Sequence, residues 1–389
     1  MGAVSAAGRD VSESWAAVYD GRDCLKPLSL FDSGLKELPL CGQVGDLPEK
    51  IMDFAPPNRT TALALMATQE ALREVPERRG LRLGIVCATT VGGMTQSELF
   101  YRELKSNPGY IVHAGRELSY HEPTAITGLI AGTVKADGFH TISTACSTSL
   151  HALGIAKRLV EQDIYDLCLA VGVDALSILT IRGFASLMLI DFSGCKPFDK
   201  RRVGISLGEG AGALLLCSEK AAKQLDCKPL AAIAGWGATA DGHHMTAPHP
   251  EGKGARKAAL AAFAEAEISP TEVDMIASHG TATPDNDLAE ITAMRSIFDT
   301  LPPFCSMKRT LGHTLAASGC LEAIFSVCAL NDNTVPATAG FEVMDETIDA
   351  RPSERQEKSL RHILKNAFGF GGNNASVVIS AWDTAHEAA

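Results

Sequence analysis

The chain has 389 residues, 46% of them hydrophobic, and a formal net charge of -11. A chain of this length buries a substantial core without disulfide or metal cross-links. Its acidic balance argues against a nucleic-acid binder, which needs a concentrated basic face. Its 11 cysteines show no C-x-x-C pair and no repeated metal spacing, so we expect reduced thiols and no metal site. Neither a charged-then-apolar leader nor a run of 18 apolar residues occurs, from which we expect a cytoplasmic protein with no membrane association.

Apolar runs punctuated by glycine alternate with longer helical patterns along the chain. Such runs are typical of strands in a buried parallel or mixed sheet, and the longer patterns are typical of the helices that cross between strands. The sequence predicts strands within 81–93, 166–177, 211–219 and 273–283. Because no Pro-, Ser- or Gly-rich linker separates them, we expect a continuous α/β architecture.

Two segments of the chain resemble each other. A turn followed by an amphipathic helix occurs at 144–160 and again at 312–330. A reactive type of side chain stands where each helix begins, Cys146 in the first and His313 in the second. This echo predicts two related halves, 1–228 and 229–389, that pack into one unit.

Cys146 stands at the start of a predicted helix, whose apolar residues Leu150, Leu153 and Ala156 share one side. A cysteine at a helix start feels the positive end of the helix dipole, which stabilises a thiolate. A single cysteine is more often a small buried hydrophobic side chain. On this motif alone, nucleophile and core residue both stay open.

Two histidines follow in comparable settings. His279 ends a predicted strand, where α/β proteins form the crevice that binds ligands, although a structural role is equally open. A glycine turn separates Lys308 from His313, and Glu322 lies in the next helix. We expect Lys308 and Glu322 to pair and to hold a histidine ring in place.

The segment 366–380 carries Gly369, Gly371 and Gly372, which permit a backbone approach that no side chain would allow. It lacks the order of glycines after a strand that a dinucleotide site needs. We therefore expect backbone N–H donors at a crevice here, not a phosphate cradle.

Four motifs together resemble those of the β-ketoacyl-(acyl carrier protein) synthases of types I and II, in this order and at these distances. They are TACSTS (144–149), HGTATP (279–284), K-x-x-x-G-H (308–313) and FGFGGNNAS (368–376). The resemblance covers nearly the whole chain, and the joint occurrence of these loose motifs is specific. The Asn286–Asp287 pair and the NNAS ending are also similar to ketosynthases of aryl-polyene and related specialised pathways.

The resemblance implies a thiolase-like fold of two similar halves, in an α-β-α-β-α layered sandwich. It implies a homodimer, or a heterodimer with a second ketosynthase-like subunit. Relatives begin with a short apolar strand before the residues equivalent to 2–5. A strand near the centre of the first sheet is therefore expected to be missing, in which case either the true start lies upstream or this chain fills the position otherwise.

For the site, the resemblance implies a Cys146 nucleophile and neutral His279 and His313 that stabilise a thioester enolate. It assigns the oxyanion donors to the backbone N–H groups of Cys146 and Phe370, and it gives the Phe370 ring the role of a gate between two half-reactions. Further residues are implied in three roles. Substrate contact is implied for Thr246, Thr281, Thr283 and Ile205. Lys308 and Glu322 are implied to support His313. Contact with the carrier protein is implied for Lys200, Arg201 and Arg202.

The implied reaction is a decarboxylative Claisen condensation of an acyl thioester with a malonyl thioester, through an acyl-cysteine intermediate. Both substrates arrive on the phosphopantetheine arm of an acyl carrier protein, and no cofactor is required. The product belongs to fatty-acid, aryl-polyene or polyketide biosynthesis.

Three other functions stay open on the sequence. A thiolase would use coenzyme A and a second cysteine near the C-terminal glycine turn, whereas the last cysteine here is Cys328. A non-catalytic or chain-length-determining partner subunit would be expected to lack the nucleophile. An acyltransferase or amide-forming relative could keep Cys146 without decarboxylation, although the retention of both histidines favours condensation.

Overall fold

The computed structural model describes residues 1–73, 75 and 77–382. Its strands are β1 (Gly2–Ser5), β2 (Lys26–Pro27), β3 (Leu40–Cys41), β4 (Leu83–Ala88), β5 (Gly138–Ile142), β6 (Leu167–Asp174), β7 (Gly210–Cys217), β8 (Ala231–Ala240), β9 (Met275–Ala277), β10 (Phe304–Cys305), β11 (Thr334–Val335), β12 (Gln356–Glu357), β13 (His362–Gly369) and β14 (Asn373–Ala381). Its α-helices are α1 (Val11–Tyr19), α2 (Arg59–Leu72), α3 (Met94–Ser106), α4 (Ala114–Glu117), α5 (Pro123–Val134), α6 (Thr148–Glu161), α7 (Ile178–Ser186), α8 (Glu219–Leu225), α9 (Lys253–Ala266), α10 (Pro284–Arg295), α11 (Lys308–Leu311) and α12 (Ser318–Asp332).

Two five-stranded sheets share one topology. The first has the order β1-β7-β6-β4-β5, and the second has the order β8-β14-β13-β9-β10. In both, the first two neighbouring pairs are antiparallel and the last two are parallel. The predicted strands are confirmed, since β4, β6, β7 and β9 lie in the expected segments, with β7 starting one residue early. The first sheet uses residues up to 217 and the second starts at 231, while the division at 228 and 229 stays a prediction.

Helices α6 and α12 form the middle layer between the two sheets. Helix α6 contacts β6 and β14, and helix α12 contacts β7, β13 and β14. Helix α2 covers the outer side of β1 and β7, and helix α9 covers the outer side of β8 and β14. Buried apolar clusters fill the middle layer and both outer interfaces. The predicted α-β-α-β-α sandwich is confirmed.

The segment Leu315–Asp332 is, within the described residues, the one helical stretch long and apolar enough to cross a membrane. In this fold it lies in the middle layer, and 83% of it is buried inside the protein. A helix between two sheets has to be apolar on nearly every side. Its composition is therefore explained by its place in the core.

In the first sheet, the residues at the start of the sequence form a strand of their own. Residues Gly2–Ser5 are themselves β1, which pairs antiparallel with β7 at the edge of that sheet. A Cβ atom on Gly2 would lie 2.0 Å from the Ala67 carbonyl oxygen of α2. Only glycine therefore allows this strand and helix to approach so closely.

Candidate active site

Cys146 lies in a tight turn between β5 and α6. Ala145 has a φ of 53°, in the left-handed region that costs a residue with a Cβ roughly 1–2 kcal/mol. The Thr144 N–H donates to Thr148 Oγ1 at 2.9 Å, which closes the turn. The sulfur-bearing residue is thus placed just before the first turn of α6, where the sequence predicts it.

Burial raises the pKa of the Cys146 thiol to about 12. The Lys308 ammonium group and the backbone N–H groups of Phe370 and Cys146 lower this pKa, and Asp174 raises it. Because the side chain is 6% exposed, lost hydration outweighs the helix dipole that the sequence suggested would favour a thiolate. At rest Cys146 is a neutral thiol, which would have to lose its proton to act as a nucleophile.

His279 directly follows β9, and its backbone is fixed by a buried carboxylate. Glu290 accepts hydrogen bonds from the backbone N–H groups of His279, at 2.8 Å, and of the next residue, at 2.9 Å. Burial, together with the ammonium groups of Lys308 and Lys365, lowers the pKa of His279 well below its ordinary value of 6.5. The imidazole is therefore uncharged at neutral pH.

His313 is held by the segment that precedes β7. The backbone N–H of His313 donates to the Ser206 carbonyl at 2.6 Å, and the backbone carbonyl of His313 accepts a hydrogen bond from the Gly208 N–H at 3.0 Å. Its Nδ1 lies 3.1 Å from Ser318 Oγ. Burial and two nearby lysine ammonium groups lower the pKa of His313 well below 6.5. Both imidazoles are thus neutral.

Glu322 lies between two buried ammonium groups. Its Oε1 pairs with Lys308, the residue that the sequence selected for this contact. Its Oε2 lies 2.6 Å from the Nζ of Lys365, which the sequence analysis did not select. Together the three side chains form a buried charged group close to both histidines.

The glycine-rich turn packs directly against the nucleophile turn. A Cβ atom on Gly369 would lie 2.7 Å from the Thr144 carbonyl oxygen, so only glycine permits this approach. The ring of Phe370 lies against that of Phe184, with centroids 5.5 Å apart. The role of Phe370 as a gate stays a prediction.

One pocket joins these groups. Its lining includes Cys146, His279, His313 and Phe370, and also the expected substrate-contact residues Thr246, Thr281, Thr283 and Ile205. Lys308 and Glu322 lie outside the lining. Thr283 additionally caps α10 by accepting a hydrogen bond from Asn286, so helix capping and pocket lining are combined in one side chain.

Asp174, at the end of β6, joins the two sides of the site, and the sequence analysis missed it. Its carboxylate accepts hydrogen bonds from the N–H groups of Thr90, at 3.0 Å, and Ala316, at 2.9 Å. The Thr90 hydroxyl donates to the Ala145 carbonyl beside the nucleophile at 3.4 Å, and Ala316 lies in the turn after His313. Burial raises the pKa of Asp174 to about 6. The one feature of the sequence that could have identified Asp174 is the presence of an acidic residue at the end of an otherwise apolar strand.

The prediction that Arg202 contacts a carrier protein was wrong. Arg202 is 7% exposed, and its guanidinium group forms a buried ion pair with Asp345. Lys200 and Arg201 stay at the surface, where each pairs with acidic side chains of this chain. Their contact with a carrier protein stays a prediction.

The 11 cysteines are free thiols. Across residues 1–73, 75 and 77–382, no three His, Cys, Asp or Glu side chains are grouped so that they could hold a metal ion. Among the groups that line the pocket are the thiol of Cys146 and the imidazoles of His279 and His313, together with the carboxylates of Asp241 and Asp285.

Comparisons with known proteins show what the whole chain is similar to. Residues 1–222 match the family described as Beta-ketoacyl synthase, N-terminal domain, and residues 230–342 match Beta-ketoacyl synthase, C-terminal domain. The chain is 32% identical to a 3-oxoacyl-[acyl-carrier-protein] synthase 2 of Coxiella burnetii, over 98% of this chain and 97% of the relative.

Two solved structures are similar over almost the entire chain. The ishigamide ketosynthase/chain length factor has a TM-score of 0.90 at 24% identity, covering 98% of both chains. A ketosynthase in complex with its chain length factor, from Xenorhabdus doucetiae, has a TM-score of 0.81 at 28% identity, covering 98% of this chain and 96% of the other. The chain belongs to the β-ketoacyl synthase family.

Proposed function

We propose that this protein is a β-ketoacyl-(acyl carrier protein) synthase that joins an acyl thioester to a malonyl thioester by decarboxylative condensation. The observation that carries the proposal is the convergence of Cys146, His279 and His313 on one pocket. A thiol beside two neutral imidazoles supplies a nucleophile for acyl transfer and two uncharged donors for an enolate.

In the first half-reaction, the Cys146 sulfur attacks the carbonyl carbon of the acyl thioester. The carbonyl oxygen gains negative charge, and the backbone N–H groups of Cys146 and Phe370 stabilise it as donors. The carbon–sulfur bond to the carrier then breaks, and the proton of the Cys146 thiol ends on the departing carrier thiol. Acyl-cysteine and free carrier thiol are the products.

In the second half-reaction, a malonyl thioester loses CO2 and leaves an enolate. Neutral His279 and His313 donate N–H groups to the enolate oxygen, a role that a depressed pKa of each imidazole favours. The enolate carbon attacks the acyl carbonyl on Cys146, and the cysteine sulfur leaves and takes up one proton. The product is a β-ketoacyl thioester two carbons longer than the acyl chain.

The three threonines of the pocket lining, Thr246, Thr281 and Thr283, offer hydroxyl groups along its wall, which suits the amides of phosphopantetheine. We assign the acyl carrier protein as the partner that delivers both substrates, and the name of the Coxiella burnetii relative supports this assignment. The reaction as written needs no cofactor, and the cytoplasm is its proposed location.

A second subunit is expected at the free edge of the first sheet. Strand β5 ends the strand order and pairs only with β4 among the described strands, and Phe139 on it is 44% exposed. The connected segments α3 to α5 expose Tyr101, Ile111 and Val112. An edge strand beside exposed apolar side chains is suited to pairing with another chain. We propose a homodimer, or a heterodimer with a second ketosynthase-like subunit, through this surface.

The alternative is a subunit that determines chain length without catalysis. The similarity to a solved complex of a ketosynthase with its chain length factor favours considering this role. The assay is product analysis by mass spectrometry, with malonyl carrier protein and carriers loaded with short, long and aryl-capped acyl chains. Formation of β-ketoacyl carrier two carbons longer supports the enzyme. Product that appears only after a catalytic partner is added, and that persists in Cys146→Ala, supports the alternative.

A further inference from the structure

Lys365 is a fully buried lysine that no step of the proposed reaction uses. It lies on β13, paired in register with Ala277 of β9, and its side chain is 0% exposed. Lysine is almost never buried to this extent unless it is paired. Its environment therefore shows what it holds in place.

Three oxygen atoms surround the Nζ of Lys365. They are Glu322 Oε2 at 2.6 Å, the Asn366 carbonyl at 2.5 Å and the Ser278 carbonyl at 3.2 Å. Ser278 directly precedes His279. The ammonium group therefore ties strand β13 to the backbone that carries the imidazole.

The backbone at His279 is held from a second side by Glu290. This carboxylate accepts from the His279 N–H at 2.8 Å and from Asn366 Nδ2 at 3.3 Å. Asn366 is also the residue whose carbonyl binds Lys365. The strand end is thus clamped between a cation and an anion that share one neighbour on β13.

We propose that Lys365 is a positioning residue for His279, acting through the Ser278 carbonyl and anchored by Glu322. The proposal rests on the proposed condensation, in which His279 donates to the enolate. A shift of about 1 Å at a group that acts on the reacting atoms can cost on the order of a hundredfold in rate. Acylation of Cys146, which the N–H groups of the nucleophile turn and the glycine turn support, does not depend on this clamp.

The charge of Lys365 has a second consequence for the same imidazole. Glu322 faces the side-chain nitrogens of both Lys308 and Lys365. Burial lowers the pKa of Lys365, and the carboxylates of Glu322 and Glu290 act against that shift. After burial, Lys308 and His313, Lys365 also lowers the pKa of His279. Removing it raises that pKa towards 6.5, an effect that packing alone does not produce.

The test compares Lys365→Met with Lys358→Met. Methionine keeps the length of the side chain but removes its charge and its N–H donors, and the Lys308–Glu322 pair remains. Lys358 is a matched control because its Nζ donates to the Asp274 carbonyl at 2.6 Å, at the opposite end of β9. In Lys365→Met we expect CO2 release from malonyl carrier protein to fall about a hundredfold, while acylation of Cys146 changes by less than about threefold.

Two further measurements separate positioning from folding. Lys365→Gln keeps an N–H donor without the charge, and it is expected to recover part of the CO2 release lost in Lys365→Met. In 13C-histidine NMR, with resonances assigned by His279→Asn and His313→Asn, the titration midpoint of His279 is expected to move up in both Lys365 variants. Equal losses in both half-reactions with an unmoved midpoint would overturn the proposal.

Failure of the proposed function has a different signature. In that case the wild-type protein neither becomes acylated on Cys146 nor releases CO2, with or without a partner subunit. The NMR titration still decides on Lys365, because it needs no substrate. An unchanged His279 midpoint in folded Lys365→Gln would then reject the role of this lysine.

Discussion

The imidazole rings of His279 and His313 lie 5.4 Å apart between centroids and nearly perpendicular, at 83°. One ring comes from the end of β9, and the other comes from the turn that leads into α12. Burial first, and then Lys308, lowers the pKa of each. Two neutral donors from different elements thus face one pocket, as stabilisation of a single enolate oxygen requires.

Lys308→Met is expected to raise the pKa of both imidazoles, because the ammonium group of Lys308 lowers it. In the proposed reaction both histidines donate as uncharged imidazoles, so CO2 release is expected to fall where they become protonated. In the wild type this loss lies well below pH 6.5, and in the variant it moves up towards pH 6.5. The measurement is the rate of CO2 release from malonyl carrier protein against pH, with Lys253→Met as an exposed control. An acid limb at the same pH in both proteins contradicts the assignment.

Asp174→Asn is expected to lower the free energy of unfolding by about 1–3 kcal/mol. The carboxylate now accepts hydrogen bonds from buried backbone N–H groups, and an amide nitrogen in its place would face those donors. The folded pKa of Asp174, about 6, lies above its ordinary value of 3.8. Its protonation therefore stabilises the wild type fully below pH 3.8, and this contribution is lost as the pH rises through about 6.

Urea unfolding of the wild type and of Asp174→Asn at several pH values checks this sign. The stability difference between the two proteins is expected to grow as the pH falls from 7 to 4. Parallel curves would show that the carboxyl group titrates without a shift. A loss of condensation larger than the loss of folded protein would further show that Asp174 positions both sides of the site.

Local sequence marked candidates for the site and left their roles open. Cys146 and His313 each stand at the start of a helix and His279 ends a strand, but the roles of all three came from the resemblance to a family. The fold joins them because the two sheets present these ends to one crevice. The glycine turn was located in the same way, since only glycine permits the approach to Thr144.

Local sequence pattern did not predict the residues whose role depends on contacts that are distant along the chain. Asp174 acts through Ala316, which lies 142 positions away, and Lys365 acts through Ser278, which lies 87 positions away. Arg202 was wrongly placed at the surface because its burial depends on Asp345, 143 positions away. Sequence periodicity carries no information about such pairings.

Phe370→Ala is expected to keep acylation of Cys146, because the backbone N–H donor of residue 370 remains. Loss of the ring opens the pocket to water, so the acyl-enzyme is expected to hydrolyse several-fold faster. The half-life of the acyl-enzyme, followed by intact-protein mass spectrometry, measures this. Phe184→Ala, which removes the ring that packs against Phe370, is expected to show the same change more weakly. An unchanged half-life in both variants argues against a gate.

Lys200→Glu with Arg201→Glu tests whether the exposed part of the basic run receives an acidic carrier. If it does, the KM for carrier-bound substrate rises about tenfold at low salt and converges with the wild type at high salt. Lys253→Glu is the matched control, since Lys253 is exposed and paired with Glu251 at 2.8 Å. Equal effects in the double variant and in the control would place the carrier elsewhere.

Acylation of Cys146 tests the central claim most directly. The wild type and Cys146→Ala are incubated with carrier proteins that bear different acyl chains. The mass of the peptide that contains residue 146 is measured by mass spectrometry before and after malonyl carrier protein is added. The account predicts an acyl mass on the wild-type peptide, its discharge by malonyl carrier protein, and a β-keto product two carbons longer that the variant does not form. A wild-type protein that takes up no acyl chain, even with a candidate partner subunit present, would contradict the account.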